Sequence, residues 1–169
     1  MAASKKSIRV MGCGNLWMGD DGAGIRVVEK MIQMKEEGGV SCLSDVDVID
    51  AGVSGLDMLP FLEGFDKIII VDAIKSGEHL GSILKIKGEE LLEGEGVGRM
   101  MSSHDVSVPT VLTIAREVQG LPEIVVFGIE IGKHGEDVEL TEDMCPEVQA
   151  AIERVIPLII SEIENDLKN

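Results

Sequence analysis

Apolar residues recur along this chain in two different periods. Short runs rich in Ile and Val at residues 8–11, 46–49, 67–71, 82–86 and 124–129 predict five strands. Between them, apolar positions three and four residues apart predict helices at about 24–35, 56–62, 108–118 and 146–167. The run Ile68-Ile69-Ile70-Val71 does not alternate with polar residues, so it predicts a central strand covered on both faces. The last helix carries Val148, Ile152, Val155, Ile159 and Ile163 as a core-facing stripe, which Pro157 should bend or deprive of one hydrogen bond. Strands alternating with helices predict a single three-layer α/β/α domain over residues 1–169, around a twisted, mixed, mostly parallel sheet of about five strands. Only residues 73–81 separate the third and fourth strands, too few for a helical crossover, so those two are expected to be antiparallel neighbours. Residues 88–99 follow neither period and read as a loop, either a surface connection or a segment gating a site.

The most informative segment lies between the first strand and the first helix: Gly12-Cys13-Gly14-Asn15-Leu16-Trp17-Met18-Gly19-Asp20-Asp21-Gly22-Ala23-Gly24. A loop at the carboxyl end of a strand is where α/β proteins place their sites. This one lacks the dinucleotide fingerprint, because the position three residues past Gly14 that needs a third glycine is Trp17. No Walker A pattern occurs, and Asp20 and Asp21 would repel phosphate. Two acceptor carboxylates among glycines suit a cation or a proton.

Composition narrows the function further. A net charge of −16 on 169 residues argues against nucleic acid and anionic membranes as partners. No apolar run approaches the length of a membrane span. Cys13, Cys42 and Cys145 are odd in number without paired spacing, and no signal-peptide core follows the first lysines, so a cytoplasmic protein with reduced thiols is expected. Cys13 reads as a small buried residue.

Three polar residues fall where a sheet would present chemistry. Asp21 follows the first strand, Asp72 follows the buried third strand, and His104 precedes the helix containing Pro109. If strands one and three are parallel neighbours, the two carboxylates share one edge of the sheet. Two oxygen donors and an imidazole suit Ni, Fe, Mn or Zn and leave positions open for water or a peptide carbonyl. His79 and His134 lie among polar loop residues and read as solvated. Ser102 and Ser103 adjoin His104, but Gly-x-Ser-x-Gly is absent, so hydrolysis by activated water fits better than a serine nucleophile.

Taken in order, five segments resemble the endopeptidases that mature nickel-iron hydrogenases: the glycine-rich loop with Asp20-Asp21-Gly22-Ala23-Gly24; Asp50-Ala51-Gly52-Val53-Ser54-Gly55-Leu56; Ile69-Ile70-Val71-Asp72-Ala73; Ser102-Ser103-His104-Asp105; and Val125-Val126-Phe127-Gly128-Ile129-Glu130. The resemblance implies an enzyme that removes the C-terminal extension of a [NiFe] hydrogenase large-subunit precursor after nickel insertion. It also implies that Asp21, Asp72 and His104 contact nickel carried by the substrate, with no tightly bound cofactor of the protease itself. Many members have Glu where this chain has Asp21, and the family's Asp-Gly-Gly-Thr reads Asp50-Ala51-Gly52-Val53 here. Asp50 is open between supporting the site and capping its turn. Two other classes remain as alternatives: a hydrolase with its own resident metal acting on a small substrate, and a non-catalytic maturation chaperone. The oligomeric state is not legible in the sequence.

Overall fold

The computed structural model describes residues 5–53, 55–93, 106–132 and 140–168. Five strands, β1 (Ile8–Gly12), β2 (Val46–Asp50), β3 (Lys67–Ile74), β4 (Ile83–Lys87) and β5 (Glu123–Glu130), form one sheet in the order β2-β1-β3-β5-β4. The first four neighbours in that order run parallel, and β4 joins the far edge antiparallel to β5. Helices α1 (Ala23–Glu36), α2 (Gly88–Leu92), α3 (Val108–Val118) and α4 (Pro146–Leu167) complete the fold.

The period-two alternation of β3 divides the core between two faces. Ile69, Val71 and Ala73 join α1 and α4 residues such as Val27, Met31, Val148 and Ile152 in one cluster. Ile68, Ile70 and Ile74 join Met58, Leu62, Val111, Leu112 and Ala115 in the other. Every residue of β3 is buried, as a central parallel strand covered by helices on both sides requires. This is the three-layer arrangement expected from the sequence.

Four details differ from the sequence expectation. The fourth strand does not pair with the third, because β5 forms an eight-residue parallel ladder along β3 and occupies that edge. The chain leaving β3 instead turns past the end of β5, where Gly81 N–H donates to Glu130 O at 2.8 Å and Glu130 N–H to Ser82 O at 2.9 Å, and then runs back along β5. Residues 56–62 form a 3-10 helix (Leu56–Leu62) rather than an α-helix, with Pro60 inside it lacking an N–H to donate. Strand β3 continues three residues beyond Val71, so Asp72 lies within the strand, opposite Gly128, rather than after it. Residues 88–92 are helical, and the remainder of the expected loop, from Gly94 on, lies outside the described residues. The last helix runs through Pro157 without interruption.

Candidate active site at the carboxyl edge of β1 and β3

Strand β1 leads through α1 to β2 on one side, and β3 lies on its other side. Connections leaving β1 and β3 therefore head toward opposite edges of the sheet, which opens a crevice at the carboxyl ends of these strands. The glycine-rich loop lies at this point. Gly12 ends β1, a 3-10 turn spans Gly19–Gly22, and α1 starts immediately afterwards.

Close backbone packing explains two of the glycines. A Cβ on Gly24 would lie 2.3 Å from both Cys13 O and Val71 O, so the first turn of α1 can pack on β1 and β3 only with glycine there. Gly14 has φ +143°, and a Cβ there would meet Asp21 O at 2.1 Å. The loop is thus folded tightly back on itself. Cys13 N–H donates to Val71 O at 2.8 Å, which ties the loop to the residue preceding Asp72.

The two adjacent aspartates of the loop do different things. Asp20 Oδ1 accepts the backbone N–H of Cys145 at 2.7 Å, placing a carboxylate at the start of α4, where the helix dipole favours negative charge. Burial and the neighbouring Asp20 together push the Cys145 thiol up to about 11, against a hydrogen bond from Val148 that lowers it. Asp21 Oδ2 accepts Asn15 N–H at 3.0 Å, and its turn packs directly against β3. Asp72 is buried within β3, with Oδ1 accepting Ala73 N–H at 2.9 Å. Asp21 and Asp72, both buried, are therefore carried on segments in direct contact at one edge of the sheet.

Asp72 shares its strand parity with Ile68, Ile70 and Ile74, the residues that face α3. Helix α3 precedes β5 and so begins near the carboxyl edge of the parallel strands. His104, four residues upstream of α3, lies outside the described residues, as do Ser102, Ser103 and His134. His79 is exposed.

Cys13 is fully buried beneath the loop. Burial pushes its thiol well up, and the charges of Asp72 and Asp50 push in the same direction. It is held as a thiol and so lacks the thiolate a nucleophile needs. Asp50 caps its turn: Oδ1 accepts Gly52 N–H at 2.7 Å, and Gly52, at φ +66°, passes its carbonyl to Gly14 N–H at 2.9 Å. The turn after β2 is thereby fastened to the glycine-rich loop.

Sequence reasoning gave no role to Glu130, which is almost wholly buried at the end of β5. Its Oε2 accepts Ser76 N–H at 2.7 Å and Ser76 Oγ–H at 2.5 Å, and its Oε1 accepts Gly132 N–H at 3.0 Å. These bonds hold the segment that leaves β3 beyond Asp72. The available signal was the same one that marked Asp72: an acid at the end of an unbroken apolar run.

Two other features lie at the opposite edge. A cavity of about 470 Å³ opens near the start of β5, with Lys85, Lys87, Arg116, Leu121 and Ile124 in its wall. Lys85 is already paired with Glu162 at 2.5 Å, so the cavity offers aliphatic walls and paired charge. The nearby acidic group Glu123, Glu162 and Asp166 has metal-like spacing, but the ammonium of Lys67 binds all three.

Comparison with known proteins decides the family. The family model for hydrogenase maturation proteases matches residues 25–162, a span that contains Asp72 and His104 and begins just after the glycine-rich loop. The chain belongs to the hydrogenase maturation protease family. A putative hydrogenase maturation protease of Methanocaldococcus jannaschii is 36% identical over 162 residues, covering 95% of this chain and 98% of that protein. The hydrogenase 2 maturation protease of Escherichia coli is 26% identical over 155 residues, covering 91% and 88%. Among solved structures, the E. coli hydrogenase maturating endopeptidase HybD superposes with a TM-score of 0.70 at 23% identity, covering 94% of this chain and 93% of that one. A hydrogenase 2 maturation peptidase from a Thaumarchaeota archaeon superposes with a TM-score of 0.64 at 28% identity, covering 94% and 98%. This hydrogenase maturation protease is accordingly a peptidase with the family's fold. Among its described residues no helix is long and apolar enough to cross a membrane.

Proposed function

We propose that this protease removes the C-terminal extension of a nickel-loaded [NiFe] hydrogenase large-subunit precursor, and that Asp21, Asp72 and His104 take the nickel the precursor brings. The observation that carries this reading is the placement of Asp72: a buried carboxylate within the central strand, beside the Asp21 turn, at the crevice of a hydrogenase maturation protease. Two carboxylate oxygens and an imidazole nitrogen form a donor set of the kind that binds nickel. Nickel arrives as part of the substrate, and its charge compensates the two carboxylates. A precursor without nickel lacks the group that would seat its cleavage segment, so the metal acts as a specificity signal. Seated nickel polarises a carbonyl or bound water for hydrolysis of the adjacent peptide bond, without a protein nucleophile. A cytoplasmic setting is in keeping with three cysteines that are all free.

The test is direct. Purified protease incubated with nickel-loaded and nickel-free precursor should shorten only the loaded form, read as a size shift by mass spectrometry; equal cleavage of both would remove nickel from the mechanism. His104→Ala is expected to slow processing by about a hundredfold or more, with the circular-dichroism spectrum unchanged. Processing at the wild-type rate would exclude His104 from the site.

A further inference from the structure

Large apolar side chains left in water are unevenly distributed over this protein. Seven are exposed among the described residues, and five of them, Trp17, Val53, Leu56, Leu80 and Leu140, lie on segments at the carboxyl edge of the parallel strands, around Asp21 and Asp72. The remaining two are elsewhere: Val118 at the end of α3 and Leu158 midway along α4. Trp17 is 62% exposed and Leu140 78%. An indole and an isobutyl group so placed contribute little to the core, and their clustering marks a contact surface.

The backbone holds three of these segments side by side. Gly14 N–H donates to Gly52 O, joining the loop of Trp17 to the turn of Val53 and Leu56. Thr141 N–H donates to Trp17 O at 2.9 Å and Gly19 N–H to Thr141 O at 2.7 Å, so Leu140 runs beside Trp17. Trp17 N–H also donates to Asn15 Oδ1 at 3.0 Å, in the loop whose Asn15 N–H binds Asp21. The indole is carried on the same hydrogen-bonded frame as the carboxylate.

We propose that this apolar rim, with Trp17 and Leu140 at its centre, binds an extended apolar stretch of the precursor flanking the bond to be cut. The inference rests on the proposed function, because a segment cut at Asp21 and Asp72 must cross the rim to reach them. Exposed aromatic and aliphatic side chains beside a cleavage site recognise apolar side chains, and a rim pre-ordered by backbone hydrogen bonds loses little entropy when it does so.

The experiment measures kcat and KM for processing of the nickel-loaded precursor. Trp17→Ser and Leu140→Ser should each raise KM by about tenfold with kcat changed by less than about twofold, while Val118→Ser, outside the rim, should leave both unchanged. Trp17 is the only tryptophan, so protein labelled with 5-fluorotryptophan gives one fluorine resonance, which should shift when unlabelled nickel-loaded precursor is added. Unchanged KM in both rim variants, or a fluorine signal indifferent to saturating precursor, would overturn the rim while leaving the proposed function standing. A signal that shifts with protease concentration alone would assign the surface to a second copy of this chain and overturn it likewise. Failure of the wild-type protein to process any loaded precursor would overturn both readings together.

Discussion

Replacing Asp72 by asparagine is expected to slow processing of nickel-loaded precursor by about a thousandfold and to leave the melting temperature almost unchanged. The side chain is buried inside β3, and its Oδ1 accepts the N–H of the next residue, Ala73. An asparagine carbonyl accepts the same hydrogen bond in the same volume, so the strand and its ladder to Gly128 should persist. Only the negative charge disappears, and with it the hard oxygen donor that nickel would take. Single-turnover cleavage assayed beside a thermal melt separates the two outcomes. Processing within about tenfold of wild type would show that Asp72 serves the strand and not the metal, and Asp21 would then need another partner.

Much of this arrangement is legible in the sequence, for reasons that vary by element. The unbroken Ile68 to Val71 run identifies the central strand because only a strand covered on both faces dispenses with polar alternation. α3 and α4 begin and end where their apolar periods do, each with a proline in its first turn. Strand order is different: it depends on which edge of β3 is filled, and the β5 ladder that fills it is a contact between residues more than fifty positions apart. No local pattern encodes that competition, so the short connection to β4 suggested the wrong neighbour. The full extent of β3 is hidden in the sequence for a related reason. An aspartate usually ends an apolar strand, and here it remains inside one because Gly128 opposite it continues the pairing. At the site, glycine spacing located the loop but could not divide labour between Asp20 and Asp21. That division is tertiary, since Asp20 is taken by the N-terminus of α4, 125 residues away. In the sequence Trp17 marks only a broken nucleotide fingerprint; its place beside Leu140 depends on Thr141, which the sequence does not bring near it.

Loss of the Lys67 ammonium should cost more stability than any change at the site. Lys67 opens β3 at the edge opposite the carboxylates of the crevice, only 2% exposed, with Nζ 2.5 Å from Asp166, 2.6 Å from Glu162 and 2.9 Å from Glu123. Burial alone would lower its pKa, but the hydrogen bonds its ammonium donates to these three acids outweigh burial and raise it well above 10.5. The acids move the other way: burial would raise Glu123, Glu162 and Asp166, and their lysine partners hold all three below their ordinary values of 4.5 and 3.8. The lysine's contribution is therefore complete below pH 10.5 and lost only as pH rises through its raised folded value. That of the acids is complete above about pH 4.5 and lost as pH falls through their depressed values. Glu123 is half exposed and its share is screened. Lys67→Met retains the buried aliphatic stem but removes the buried cation shared by Glu162 and Asp166, leaving them to the more exposed Lys85 and Lys6, which should destabilise the fold by about 2 kcal/mol, or about 4–8 °C in a domain of this size. The two remaining carboxylates then repel, so protonating them relieves the variant while it weakens the wild type. Melting curves should consequently lie furthest apart near pH 7 and converge as pH falls below about 4. A gap at pH 3.5 equal to that at pH 7 would mean that Lys67 supports β3 through packing of its stem and not through its charge.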